Sequence, residues 1–182
     1  QDTNYIVAHT AARKITEVFM LPFSVFGTTM ATFCGQNLGA GKNDRIKKGL
    51  WQVIWITWAW CAGMIILAYT VAPVLVHLIT DTTQVKVIAT ASLYLRMNTI
   101  LYFIPAVICI LRNAMQGIGD SITPVISSSL ELLCKVLVAV FLTPYLGYWA
   151  IIWSEPISWV IMVIPLLIRI ANNPVLKGNQ TN

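Results

Sequence analysis

The sequence predicts an all-α integral membrane protein, and three observations predict it. Of the 182 residues, 57% are hydrophobic and only 10% are charged, with a mean hydropathy of +0.73. A soluble domain carries about 25% charged residues, so the apolar excess has to face lipid. Uncharged runs are also long: no Asp, Glu, Lys or Arg occurs between 18 and 41 or between 49 and 80. Finally, Lys42, Arg45, Lys47 and Lys48 cluster between two such runs. There the positive-inside rule accounts for them better than nucleic-acid binding does.

A hydrocarbon core of about 30 Å needs about 20 helical residues. Five candidate spans meet that length: 11–33, 50–74, 89–111, 124–143 and 149–168. Residues 1–171 form the predicted membrane bundle and 172–182 a polar cytoplasmic tail. Gly35, Gly39 and Gly41 end the first span as C-cap glycines of a tight turn, with a cytoplasmic loop running over 36–49. Thr80-Asp81-Thr82-Thr83 separates the second span from the third. Gly117 and Gly119 end the third in the same way, and Pro124 suits the first turn of the fourth. Pro144 and Gly147 form the turn before the fifth. Pro22, Pro105 and Pro165 fall inside spans, where kinks are expected. Trp51, Trp149 and Trp153 lie near span ends, as in an interfacial belt, while Trp55, Trp58, Trp60 and Trp159 lie deeper and pack.

Orientation follows from Lys and Arg. Lys42, Arg45, Lys47, Lys48, Arg112, Arg169 and Lys177 gather on one side, which is therefore cytoplasmic; the other side holds Lys86, with Arg13 and Lys14 near its boundary. The chain then starts outside and finishes inside. It opens Gln1-Asp2-Thr3 with no signal peptide, which is read as the start of a piece of a longer protein.

Polar groups within the spans need a reason, because burying them in lipid is costly. On the first span, Arg13, Glu17, Ser24 and Thr28 share a face. Arg13 and Glu17 are an i,i+4 pair, either an interfacial ion pair or a pair facing a cavity that meets cations. On the third, Asn98, Tyr102, Cys109, Arg112 and Gln116 fall on one stripe at 3.6 residues per turn, with Pro105 on it too. Such a stripe packs on another helix or lines a water-filled path. On the fourth, Ser127, Ser128, Glu131 and Lys135 share a flank. Glu131 and Lys135 stand in the favourable Glu-then-Lys order, as a structural lock or a gating pair. Glu155, before Pro156, is read as a first-turn carboxylate that favours the helix dipole.

Other chemistries find little support. Cys34, Cys61, Cys109 and Cys134 show no CxxC spacing and read as small buried hydrophobes. His9 and His77 are far apart, so no metal site is suggested. The stretch from Gly35 to Lys42 contains a Gly-Lys, but five residues separate Gly35 from Gly41 and Asn43 replaces the required Ser or Thr, so a phosphate loop is rejected. Nothing resembling a catalytic triad or paired catalytic carboxylates occurs, so the expectation is not an enzyme and no cofactor.

The segment Ala31-Thr32-Phe33-Cys34-Gly35-Gln36-Asn37-Leu38-Gly39-Ala40-Gly41-Lys42, followed by Arg45, resembles a signature of the MATE (multidrug and toxic compound extrusion) transporters. Arg112-Asn113-Ala114-Met115-Gln116-Gly117-Ile118-Gly119-Asp120-Ser121-Ile122-Thr123-Pro124 resembles a second motif of that family, and Glu155-Pro156-Ile157-Ser158-Trp159 resembles its last helix. The resemblance implies two six-helix bundles around a central cavity, with this chain supplying helices eight to twelve as an incomplete bundle. It implies export of organic, often cationic, drug-like compounds in antiport with Na+ or H+ as coupling ion, from a bacterial inner or plasma membrane. Its implied partners are membrane lipid, the substrate, and the absent seventh helix and N-terminal bundle, with no nucleic acid. Family members with a C-terminal cation site use acids on the seventh and tenth helices. The third span here has no Asp or Glu between Arg96 and Arg112, so that site is not carried over.

The pathway candidates are therefore Glu17, Asn98, Tyr102, Arg112, Gln116, Glu131 and Lys135. Gln36, Asn37, Gly39, Gly41, Gly117 and Gly119 are assigned to the motif turns. A lipid-linked sugar flippase of the same superfamily and a non-transporting membrane assembly subunit are the competing readings. A flippase would need a more cationic cavity than Arg13, Lys135 and Arg112 supply.

Overall fold

A computed structural model of the chain describes residues 2–80, 85–146 and 148–174. Helix α1 spans Asp2–Gly39 and α2 spans Asn43–Thr80. Helices α3 (Val85–Ile100) and α4 (Phe103–Gly117) follow, then α5 (Ile122–Leu137). A π-helical turn over Val138–Leu142 and the short α6 (Thr143–Leu146) lead into α7 (Tyr148–Asn172). The described residues contain no strand.

Four helical segments are long and apolar enough to cross a membrane: Ala12–Gly39, Asn43–Leu78, Ile122–Leu142 and Trp153–Asn172. The pair α3 and α4, bent by 53°, passes the same test together. Between 17% and 28% of each of the four is buried inside the molecule. The remainder points outward and is apolar: Leu21, Ile66, Leu132, Phe141 and Ile164 are all at least half exposed. Such a surface is untenable in water and suited to lipid. The protein is an all-α membrane protein.

Helix α1 packs on α2, α3 and α4, whereas α5 packs chiefly on α7, and α4 joins the two groups. The α1–α4 contact is close because it is built from small residues. A Cβ on Gly117 would collide with the carbonyl oxygen of Ala31, and one on Gly35 would lie 3.3 Å from that of Gly117. A Cβ on Gly27 would meet the Asn113 amide at 2.5 Å. Gly27, Ala31 and Gly35 are four residues apart and share a helix face, the small-xxx-small pattern that lets membrane helices approach backbone to backbone. Gly35 and Gly117 were expected to be turn glycines; Gly35 lies inside α1 and Gly117 is the last residue of α4, and packing forbids a side chain at Gly117 and crowds one at Gly35.

Both helix ends are Schellman turns. At α1, Lys42 N–H donates to Asn37 O at 2.8 Å and Gly41 N–H to Leu38 O at 3.0 Å, with Gly41 at φ +67°. At α4, Asp120 N–H donates to Met115 O at 2.9 Å and Gly119 N–H to Gln116 O at 3.1 Å, with Gly119 at φ +86°. These are the 6→1 and 5→2 bonds of that cap, and its C′ position requires a left-handed residue. Gly39, also expected in the turn, is instead the last helical residue of α1 and has no positive φ.

The predicted loop over 36–49 is likewise mostly helix, because the Gly41 cap closes α1 and Asn43 already opens α2. Hydropathy had marked where the apolar core ends, not where the backbone stops being helical. Residues 81–84, Gly147 and most of the polar tail, Lys177 included, lie outside the described residues.

The expected kink at Pro105 is a break one turn earlier. Proline has no N–H to give to Leu101 O, and its ring crowds that carbonyl. The chain responds with i→i−3 bonds: Leu101 N–H to Asn98 O, Tyr102 N–H to Thr99 O and Ile104 N–H to Leu101 O, at 2.9, 3.2 and 3.1 Å. Helix α4 then restarts with Pro105 in its first turn, where a missing donor costs little. Glu155 is not in a first turn either, since α7 begins at Tyr148, about two turns earlier. Trp55 faces outward at 63% exposure rather than packing inside.

Candidate functional site

The break between α3 and α4 divides the predicted polar stripe. Asn98, on α3, is buried and its amide donates to Tyr94 O at 3.2 Å. Tyr102, at the break, is fully buried. Its hydroxyl donates to Thr16 Oγ1 at 2.6 Å, and its ring meets Trp159 edge-on at 6.3 Å between centroids. Tyr102 thus ties the break to α1 and α7, whereas Asn98 bonds within α3. One unbroken helix would put both beside Arg112; the 53° bend removes them from that stripe.

The remaining stripe residues do converge. Pro105, Cys109, Arg112 and Gln116 of α4 line a cavity of about 260 Å³ with Glu131 of α5 and Trp159 of α7. Arg112 Nη2 donates to Ser128 Oγ at 2.5 Å, and Ser128 Oγ donates to Pro124 O at 3.0 Å. The Cys109 thiol donates to Phe23 O at 3.2 Å, and the Asn113 amide to Cys109 O at 2.8 Å. Ser127 is fully buried and donates to Met162 O at 2.8 Å, fixing α5 to α7. The two serines thus hold the cavity walls in place.

Charge inside this cavity is unevenly balanced. Lys135 Nζ lies 2.8 Å from Glu131 Oε1, so the carboxylate is already neutralised by its neighbour one turn on. Arg112 has only the neutral Ser128 hydroxyl as partner among the described residues. A cation entering the cavity would find Glu131 occupied unless Lys135 released it.

Glu17 lies elsewhere, on the outward face of α1, 3.5 Å from Arg13, with both side chains about two-thirds exposed. Asn37 is buried and its amide donates to Phe33 O at 2.8 Å, whereas Gln36 is exposed beside the first cap.

Sequence reasoning quoted Asp120 inside a motif but gave it no role. Asp120 Oδ1 accepts from Thr123 N–H at 3.1 Å, and Oδ2 accepts from Thr123 Oγ1 at 2.9 Å and from Arg169 Nε at 2.7 Å. One carboxylate therefore clasps the end of α4, the first turn of α5 and the last turn of α7. Burial pushes the Asp120 carboxyl up, but the bonds from Arg169 and Thr123 and the guanidinium charge outweigh it and hold it below the usual carboxylate range. The Asp-x-x-Thr spacing ahead of Pro124 was the available signal, a capping pattern at a helix start.

A scan against family models matches the chain over residues 2–141 with the model described as MatE. The chain belongs to the MatE family. The MatE match covers α1 to α5 and ends at Phe141, within the π-helical turn, so the likeness of the Glu155–Trp159 segment to the family's last helix rests on the sequence motif alone. Comparisons with curated proteins and with solved structures found no match. Membership of MatE places the chain among multi-pass membrane transporters rather than enzymes.

Proposed function

We propose that this chain is the C-terminal part, helices eight to twelve, of a secondary active transporter that exports organic, often cationic compounds in antiport with Na+ or H+. The single observation that carries this reading is the broken helix α3–α4, bent by 53° within the bundle. Transporters place discontinuous helices at substrate and ion sites, where freed backbone groups and polar side chains can line a cavity. Here the break adjoins the cavity of Arg112, Gln116 and Glu131. A membrane assembly subunit has no need of such a cavity. A lipid-linked sugar flippase would require several cations around it, and Arg112 is the one cation among the residues that line it.

The transport cycle follows from the charge arrangement. Glu131 is free to meet an incoming cation only when the Lys135 side chain turns away along α5, so exchange of Lys135 for the cation at Glu131 would couple ion entry to substrate release. The absent N-terminal bundle and the seventh helix would complete the central cavity, and the location would be a plasma membrane. Full-length protein in proteoliposomes tests this. An imposed Na+ or H+ gradient should drive accumulation of a fluorescent organic cation, and collapse of that gradient should stop it. Accumulation that ignores both gradients, or movement of a lipid-linked sugar instead, would overturn the antiport reading.

A further inference from the structure

A cavity larger than the polar one is apolar. A groove of about 720 Å³ runs along the outer surface between α2, α4 and α7, lined by Lys47, Trp51 and Trp58 of α2, Val107 and Leu111 of α4 and Leu167 of α7, among others. Its walls are apolar except at one end, where Lys47 stands at the mouth. A second, shallower recess opens beside it, lined by Asp44, Lys47, Lys48, Trp51 and Gln52.

We propose that this groove is a binding site for one anionic phospholipid of the cytoplasmic leaflet, its acyl chain along Val107 and Leu167 and its phosphate at Lys47. The dimensions support that occupant. From Lys47 to Trp58 the α2 wall rises about 16 Å at ~1.5 Å per residue. One leaflet contributes about 15 Å, half of a hydrocarbon core of ~30 Å. The groove therefore spans a single leaflet, ending in the middle of the bilayer, as an acyl chain does and a transmembrane helix does not. Its charged end agrees. Lys47 and Lys48, with Lys42 and Arg45 nearby in sequence, outweigh the one acid at the rim, Asp44. Trp51, half-exposed beside Lys47, has the amphipathic ring favoured at headgroup level. Juxtamembrane basic residues select anionic lipid. The proposal depends on the basic cluster facing the cytoplasm, and it is independent of whether the protein is an antiporter.

Native mass spectrometry of the full-length protein, titrated in detergent with phosphatidylglycerol or phosphatidylcholine of matched chains, tests it. Wild type should retain phosphatidylglycerol about fivefold more tightly, the ratio expected from one lysine at a membrane surface. Lys47→Gln should equalise the two lipids without abolishing binding. Val107→Trp and Leu167→Trp, which fill the groove, should each abolish retention of both lipids. Leu167 is half-exposed, so Leu167→Trp keeps the test informative should Val107→Trp fail to fold. Equal retention of the two lipids by wild type, or undiminished retention in Leu167→Trp, overturns the proposal. So does a disulfide cross-link from Leu167→Cys to a protein segment lying in the groove.

Discussion

Arg169 Nε lies 2.7 Å from Asp120 Oδ2, which joins the last turn of α7 to the turn between α4 and α5. The acid is only 10% exposed and the guanidinium 54%. The ion pair alone is therefore worth at most about 1 kcal/mol, while the capping bond to Thr123 contributes about 1 kcal/mol more. Asp120→Ala should destabilise by about 1–2 kcal/mol, and Asp120→Asn, which keeps the cap, by less. Because the folded carboxyl titrates below its unfolded value of ~3.9, its contribution is present above that value and fades as pH falls through the folded one. The melting difference between wild type and Asp120→Asn in detergent should thus close below about pH 4. A difference that persists unchanged at low pH excludes the charged bond as its source.

The two Schellman turns and the α1–α4 contact make opposite demands on neighbouring glycines. Gly117→Ala places a methyl against the Ala31 carbonyl and should cost about 1–3 kcal/mol as overpacking in a contact that cannot shift cheaply. Gly39→Ala meets nothing within 4 Å in a helical residue and should be neutral or stabilising by up to ~1 kcal/mol. Gly41, at φ +67°, should tolerate Ala poorly and Val worse. Thermal unfolding of the four variants ranks them, and Gly39→Ala falling below Gly117→Ala would refute the assignment.

Topology can be read at the first turn. Lys42 is exposed beside the Gly41 cap. In a background lacking Cys34, Cys61, Cys109 and Cys134, Lys42→Cys should react with an impermeant maleimide only after the membrane is opened. Labelling in intact cells would reverse the orientation, and with it the leaflet assigned to the α2–α4–α7 groove.

What the sequence revealed, and what it concealed, follows from what each pattern measures. Hydropathy located the apolar runs because burial in lipid leaves little room for charge. It said nothing of the helical ends beyond the core, so α2 begins at Asn43, seven residues before the predicted 50. The 3.6-residue stripe was correct for Cys109, Arg112 and Gln116, which share α4, and failed for Asn98 and Tyr102 across the break. Pro105 foretold a distortion but not that the helix would stop at Ile100, since carbonyls up to a turn before a proline absorb its effect. Gly35 looked like punctuation because only the fold reveals that Gly117 lies opposite it. Asp120 was missed because its partner Arg169 is distant in sequence.

Glu131 and Lys135 decide how the cavity works. Their 2.8 Å pair is 27% and 42% exposed at the two side chains, so its worth depends on what surrounds it in the membrane. In a water-filled cavity an i,i+4 pair contributes only about 0.3–0.5 kcal/mol. With lipid or protein around it, removing one partner strands a charge and costs about 3–5 kcal/mol, while replacing both partners is near neutral. Glu131→Gln and Lys135→Met should therefore each lower the melting temperature of the full-length protein if the pair is a buried lock, and the double variant should recover it. Transport then separates lock from gate. A pure lock predicts that the stable double variant still exchanges ions for substrate in vesicles. A gate predicts a double variant as stable as wild type that does not transport, because the carboxylate that meets the ion is gone. Single variants with wild-type stability and wild-type transport would defeat both readings and leave the pair in solvated space, with no part in the cycle.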